Sequence, residues 1–80
     1  MKQLTYKDFE ELTGLHQNTI RNYLQNYKFN KFFKKKKWEN FITEMYEVND
    51  EFIEKFNEYL LMRRRIKASR MFMEKIKEIK

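Results

Sequence analysis

Leu4, Phe9, Leu12 and Leu15 recur at close to helical spacing, and Thr5 followed by Asp8 has the form of a capping box. This pattern predicts a first helix over Tyr6–Thr13. Gly14, the chain's single glycine, ends it, because glycine takes a positive φ at little steric cost. Beyond the glycine, Ile20, Tyr23, Leu24 and Tyr27 form the apolar stripe of a second helix starting near Gln17. Two short helices joined by a glycine turn make the helix-turn-helix unit.

Residues 28–48 support two readings. As strands, Asn30 to Lys37 and Phe41 to Val48 flank a turn at Trp38-Glu39-Asn40 and make a hairpin. As a helix, Trp38, Phe41, Ile42 and Met45 fall at i, i+3, i+4 and i+7. The hairpin is preferred, since "MYEVNDEF" reads as a strand running into a helix capped by Asn49 or Asp50. From Asp50 to the end no glycine or proline intervenes, acids crowd the first turns and bases the last, as the helix dipole favours. One helix on the order of 45 Å is expected there. Phe52, Tyr59, Ile66 and Met73 recur every seventh residue, with Met62, Ser69 and Ile76 on the intervening seam position and Lys55 out of character. The predicted fold is mainly α: a helix-turn-helix with a β-hairpin over 1–50, then a long C-terminal helix over 51–80.

A chain of 80 residues buries limited area alone, and a helix of that length exceeds what the rest can cover. Its distal half is expected to fray, to bind nucleic acid, or to pack on another chain. The seam residues Tyr59, Met62, Ile66, Ser69, Met73 and Ile76 are the candidate dimerisation set, giving a homodimer. Charge sharpens this picture. The net charge of +6 is blocked: residues 28–37 hold six lysines and no acid, residues 38–62 hold seven acids against Lys55, and residues 63–80 hold eight bases against Glu74 and Glu78. Basic blocks of this kind suit a polyanion. Arg63, Arg64 and Arg65 are read equally as phosphate contacts or as partners of the acidic block across a dimer.

Chemistry is narrowed mostly by absence. With no cysteine and one histidine there is no disulfide, no thiolate site and no expected structural metal, and no cofactor is implied. No glycine-rich phosphate loop or catalytic spacing stands out, so an enzyme is not expected. The opening residues carry acids where a leader would be apolar, and no run of apolar residues is long enough to span a membrane, so a cytoplasmic protein is expected.

The stretch "ELTGLHQNTIRNY" resembles the DNA-binding segment of MerR-type regulators and related small excisionases, which read E-L-T-G-hydrophobic, a few polar residues, then T-[LI]-R-aromatic-Y. Leu12, Thr13, Gly14, Leu15, Thr19, Ile20, Arg21 and Tyr23 match in place. The resemblance implies a winged helix-turn-helix in which the second helix enters the major groove and the hairpin is the wing. Independently of it, Gln17, Asn18, Arg21, Asn22 and Gln25 lie on that helix's outer face, where they can bond to base edges or phosphates. The candidate DNA-contacting set is His16, Gln17, Asn18, Thr19, Arg21, Asn22, Gln25, Lys28, Lys34, Lys35, Lys36 and Lys37. Three departures stand beside the match. Glu10 replaces the usual small residue and must point outward or loosen the helix crossing; His16 stands where Ser or Thr commonly caps; residues 28–48 lack the wing's usual glycine and proline. No effector domain follows, so no small-molecule effector is expected. The expected function is sequence-specific binding of double-stranded DNA, as a small transcriptional regulator or an excisionase-like or partition-type factor of a phage, plasmid or mobile element. The alternative is a protein-interaction module, such as a phage-encoded inhibitor or assembly adaptor, acting through the long helix.

Overall fold

A computed structural model describes residues 2–78 of the chain, apart from the Tyr27 side chain. The elements run β1 (Lys2–Thr5), α1 (Tyr6–Thr13), α2 (Gln17–Leu24), a short 3-10 helix (Tyr27–Phe32), β2 (Phe33–Trp38), β3 (Phe41–Val48), α3 (Asp50–Met62) and α4 (Ile66–Glu78). The place of Tyr27 on the stripe of the second helix lies outside the described side chains; its backbone opens the 3-10 helix.

Local chemistry sets the first two helices as the pattern predicts. Thr5 Oγ1 accepts from the Asp8 N–H, and the Asp8 carboxylate accepts from the Thr5 N–H at 2.9 Å. Gly14 ends α1 at φ 73°, its N–H bonded to the Glu10 carbonyl at 2.8 Å. A Cβ at this position would meet Met71 at an ordinary 3.5 Å. Glycine is therefore needed here for its backbone conformation rather than for space.

The hairpin reading holds over Phe33–Val48, with β2 and β3 antiparallel around a Glu39–Asn40 turn, but the first strand starts at Phe33 rather than Asn30, because Tyr27–Phe32 form the 3-10 helix that buries Phe29 and Phe32. Its helical alternative fails because the buried residues from Trp38 to Val48 are Tyr46 and Val48, spaced as on one face of a strand, while Trp38, Phe41 and Ile42 are exposed. β1 was not foreseen. It pairs antiparallel with the far edge of β3, Leu4 opposite Tyr46, and completes a three-stranded sheet of order β1-β3-β2. Four residues with one buried side chain carry too little periodicity to announce a strand. Among the described residues the fold is thus α+β, four α-helices and a three-stranded antiparallel sheet, and not mainly α.

The long C-terminal helix is also corrected. α3 and α4 are separate helices of 13 residues each, divided at Arg63–Arg65. Arg64 adopts φ 60°, the Arg65 N–H bonds to the Leu60 carbonyl at 2.8 Å, and the Arg64 N–H to the Leu61 carbonyl at 3.0 Å. This is a Schellman ending with arginine in the position glycine usually takes. The left-handed residue costs about 1–2 kcal/mol. Folding back lets α4 pack on α1 and α3 and bury Ala68, Phe72 and Ile76. Large apolar side chains gain roughly 1.5–3 kcal/mol each on full burial, so the break is favoured.

The core is built of rings. Phe9, Phe29, Phe52, Phe56 and Phe72 are fully buried, with Phe56 central: its centroid lies 5.4 Å from Phe9, 5.0 Å from Phe72 and 5.5 Å from Phe52. Residues on both sides of the expected boundary at 50 share this cluster. The heptad seam consequently does not form a face. Phe52 and Ile76 are buried, Tyr59 packs on Tyr23 and Phe29, and Ser69 is buried with its hydroxyl donating to Asn57 Oδ1. Met73 packs against the core, while Met62 and Ile66 are exposed on either side of the break. Among the described residues, no helix is long and apolar enough to cross a membrane.

Candidate nucleic-acid interface

The turn between α1 and α2 is held by side chains as well as by glycine. Thr13 Oγ1 donates to the Phe9 carbonyl at 2.7 Å and accepts from the Leu15 N–H at 3.2 Å. Glu10 does not point away from α2. Its Oε2 accepts from the Gln17 N–H at 3.1 Å, placing a carboxylate at the N-terminus of α2, where the helix dipole favours it. His16 does cap that helix, through Nδ1 accepting from the Asn18 N–H at 3.1 Å. Two unusual residues together replace the Ser or Thr cap.

The α2 helix buries Ile20, Tyr23 and Leu24 and turns the opposite face outward. Asn18, Arg21, Asn22 and Gln25 are exposed on that face, His16 is exposed at its start, and Gln17 and Thr19 are half-buried at its margins. Arg21 lies over the Tyr6 ring at 5.2 Å, which holds the guanidinium near the sheet. Between this edge of α2 and the hairpin runs a cleft of about 600 Å³, with Gln17, Arg21 and Gln25 on one wall and Lys35, Ile42 and Glu44 on the other.

Strand geometry divides the lysine run. Opposed residues share a face of the sheet, so Phe33, Lys35 and Lys37 lie with Tyr46, Glu44 and Ile42 on the helix side, and Lys34 and Lys36 lie with Met45 and Thr43 on the other. Lys34 is paired with Glu47 at 3.7 Å, and Lys36 sits over the Trp38 ring at 5.9 Å. The four lysines therefore do not act as one patch; Lys35 is the one lining the cleft. Lys28, exposed on the 3-10 helix, lies beyond the C-terminal end of α2.

A buried hydroxyl fixes the hairpin to α2. Tyr46 Oη, from β3, donates to the Leu24 carbonyl at 3.0 Å and lies 3.5 Å from Tyr6 Oη. Burial, with Tyr6 adding to it, pushes the Tyr46 phenol well above its ordinary range. On the other edge of α2, Tyr23 meets the α3–α4 corner: Arg65 Nε donates to Tyr23 Oη at 3.0 Å, and Arg63 lies over the ring at 5.5 Å. Burial pushes the Tyr23 phenol up, but Arg65 and Arg63 outweigh it and hold it below its ordinary value.

The exposed face of α2 is thus bordered by cations on both edges, Lys35 from β2 and Arg63 and Arg65 from the corner. No family model, curated protein or solved structure matches this chain. The arginines were candidates by charge alone; their placement against Tyr23 depends on the turn at Arg64, for which the sequence carries no glycine signal.

Proposed function

We propose that the protein binds double-stranded DNA in a sequence-dependent manner, as a small MerR-like or excisionase-like winged helix-turn-helix. The observation that carries this reading is the polar, exposed face of α2 flanked on both edges by basic side chains from separate elements. An eight-residue helix is about 12 Å long, which suits one segment of a major groove of similar width. Asn18, Arg21, Asn22 and Gln25 would meet base edges, while Lys35 on one side and Arg63 and Arg65 on the other would meet the phosphate backbones. Regulation, excision and partition all use such a module.

Selection of duplexes from a random pool tests the reading directly. Arg21→Ala and Asn18→Ala are expected to weaken binding to the selected duplex by roughly 1–3 kcal/mol and binding to random duplex by less. Equal losses on both would reassign these residues to backbone contacts; no binding to any duplex would remove the reading. A second reading, a protein-interaction module, is favoured by one feature. Leu61, Met62 and Ile66 are exposed together around the α3–α4 corner, an apolar surface suited to another chain. Sedimentation of the protein alone and with duplex separates self-association there from DNA binding.

A further inference from the structure

The end of the β2–β3 hairpin carries more apolar surface than a solvated turn needs. Trp38, Phe41 and Ile42 are 63%, 69% and 64% exposed. Strand pairing puts them on both faces of the ribbon: Trp38 and Phe41 are opposed on one, and Ile42 is opposed by Lys37 on the other. None of the three can join the core, which ends farther down the hairpin where the Phe33 and Tyr46 rings meet at 5.3 Å. An occupant must therefore cover a protrusion from two sides at once. A protein surface laid on one face of the ribbon leaves the other wet, and pairing along the free edge of β2 brings a partner strand against a lysine at each of positions 34 to 37. A fluid apolar layer closes around both faces.

Charge on the hairpin fixes the character of that layer. Lys36 follows Trp38 on the same face, its Nζ 5.9 Å from the ring centroid, and Lys37 stands beside Ile42 on the other. At about 3.3 Å per residue, Lys36 is set roughly 7 Å back from Trp38. An interfacial element sinks its apolar side chains by about 5–10 Å, so these ammonium groups come level with lipid phosphates when the rings lie below them. Tryptophan is favoured at the headgroup level. Glu39, at φ 52° in the turn, and Asn40 keep the very end of the hairpin polar, which limits entry to the headgroup layer and keeps it out of the hydrocarbon. We infer that the hairpin tip docks on an anionic lipid bilayer, with Trp38, Phe41 and Ile42 in the headgroup layer and Lys36 and Lys37 against the lipid phosphates. Apolar insertion and basic charge act together, since either signal alone gives weak and reversible attachment. None of these five residues lies on α2, and Ile42 alone among them borders the cleft beside that helix.

Trp38 is the chain's only tryptophan, so its emission reports the tip alone. With the full chain and vesicles of mixed phosphatidylcholine and phosphatidylglycerol, that emission is expected to shift to the blue, and lipids brominated near the top of the acyl chain should quench it more than lipids brominated near the end. Binding should weaken as salt is added. Trp38→Ala with Phe41→Ala should lose about tenfold or more in vesicle affinity, and Trp38→Phe should retain most of it. Lys36→Gln and Lys37→Gln should each lose about fivefold. Glu39→Gln should bind more tightly than the parent. These residues are exposed, so an unchanged thermal melt will show that each variant is folded. No association with the mixed vesicles, or equal association with phosphatidylcholine alone, overturns the inference. Association that leaves Trp38 emission unmoved and open to acrylamide assigns lipid binding to another basic surface and overturns it as well. Shielding of Trp38 by a selected duplex but not by vesicles assigns the tip to nucleic acid, with the same result. Vesicle binding neither supports nor removes the reading of α2, which duplex selection decides separately.

Discussion

Substituting Arg64 by glycine tests whether the chain turns at this residue, because the two possible backbones demand opposite signs. At φ 60° an arginine carries a left-handed penalty of about 1–2 kcal/mol. Glycine removes it but loses roughly 0.5–1 kcal/mol through its more flexible unfolded chain. The net expectation for Arg64→Gly is a gain of about 0.5–1 kcal/mol, or a rise in melting temperature of about 2–8 °C for a domain of this size. In an uninterrupted helix the same substitution would cost close to 1 kcal/mol. Arg64→Asn, which also removes the charge and tolerates this conformation, should move in the same direction by less, whereas Arg64→Ala should be nearly neutral. The assay is urea unfolding followed by circular dichroism, reading the midpoint at constant slope. A lower midpoint for Arg64→Gly, with the slope unchanged, would refute the turn and restore a continuous helix through 60–68.

Three further outcomes follow from the packing and charge. Phe72→Ala, which empties a fully buried site between Phe9 and Phe56, should cost about 3–5 kcal/mol and leave much of this small domain unfolded, while Ile66→Lys on the exposed corner should change the urea midpoint little. Tyr46→Phe leaves the Leu24 carbonyl without its donor and should cost about 1–3 kcal/mol near neutral pH. Because burial raises the Tyr46 pKa above its ordinary 10.0, the native state holds a proton that the unfolded chain releases. That contribution is complete below pH 10 and is lost as pH rises beyond it, so unfolding midpoints across this window should fall less steeply for Tyr46→Phe than for the parent. In DNA binding, Lys35→Gln should lower the slope of log K against log salt by about 0.9, the loss of one phosphate contact, and Lys34→Gln, already paired with Glu47, should lower it less.

Much of the helix-turn-helix was legible because its determinants are short-range. Thr5 with Asp8, Gly14, and Asn49 each act within three or four residues of themselves, and α1, α2, β3 and the start of α3 fall where those signals put them. The candidate residues on the outer face of α2 follow from helical periodicity once that helix exists. β1 lacked any such signal, since its partner strand lies some forty residues away and Leu4 finds its place only opposite Tyr46, whose ring packs on Tyr6 and Phe9 of α1.

Glycine, capping and periodicity along the chain determined the corner and the helix it turns out. The tertiary structure decided what surrounds that helix. A seven-residue repeat from Phe52 to Met73 is compatible with one straight helix or two folded ones, and nothing local forbids either, because the residue at the turn is an arginine rather than a glycine. The choice lies in Phe72 and Ile76, which find buried neighbours only if α4 returns to α1. That return brings Arg63 and Arg65 to Tyr23, and strand pairing with β3 sends Lys35 toward α2 and Lys34 away from it. Burial of apolar surface is non-directional and acts between residues distant in sequence, so these placements were decided only when the core closed.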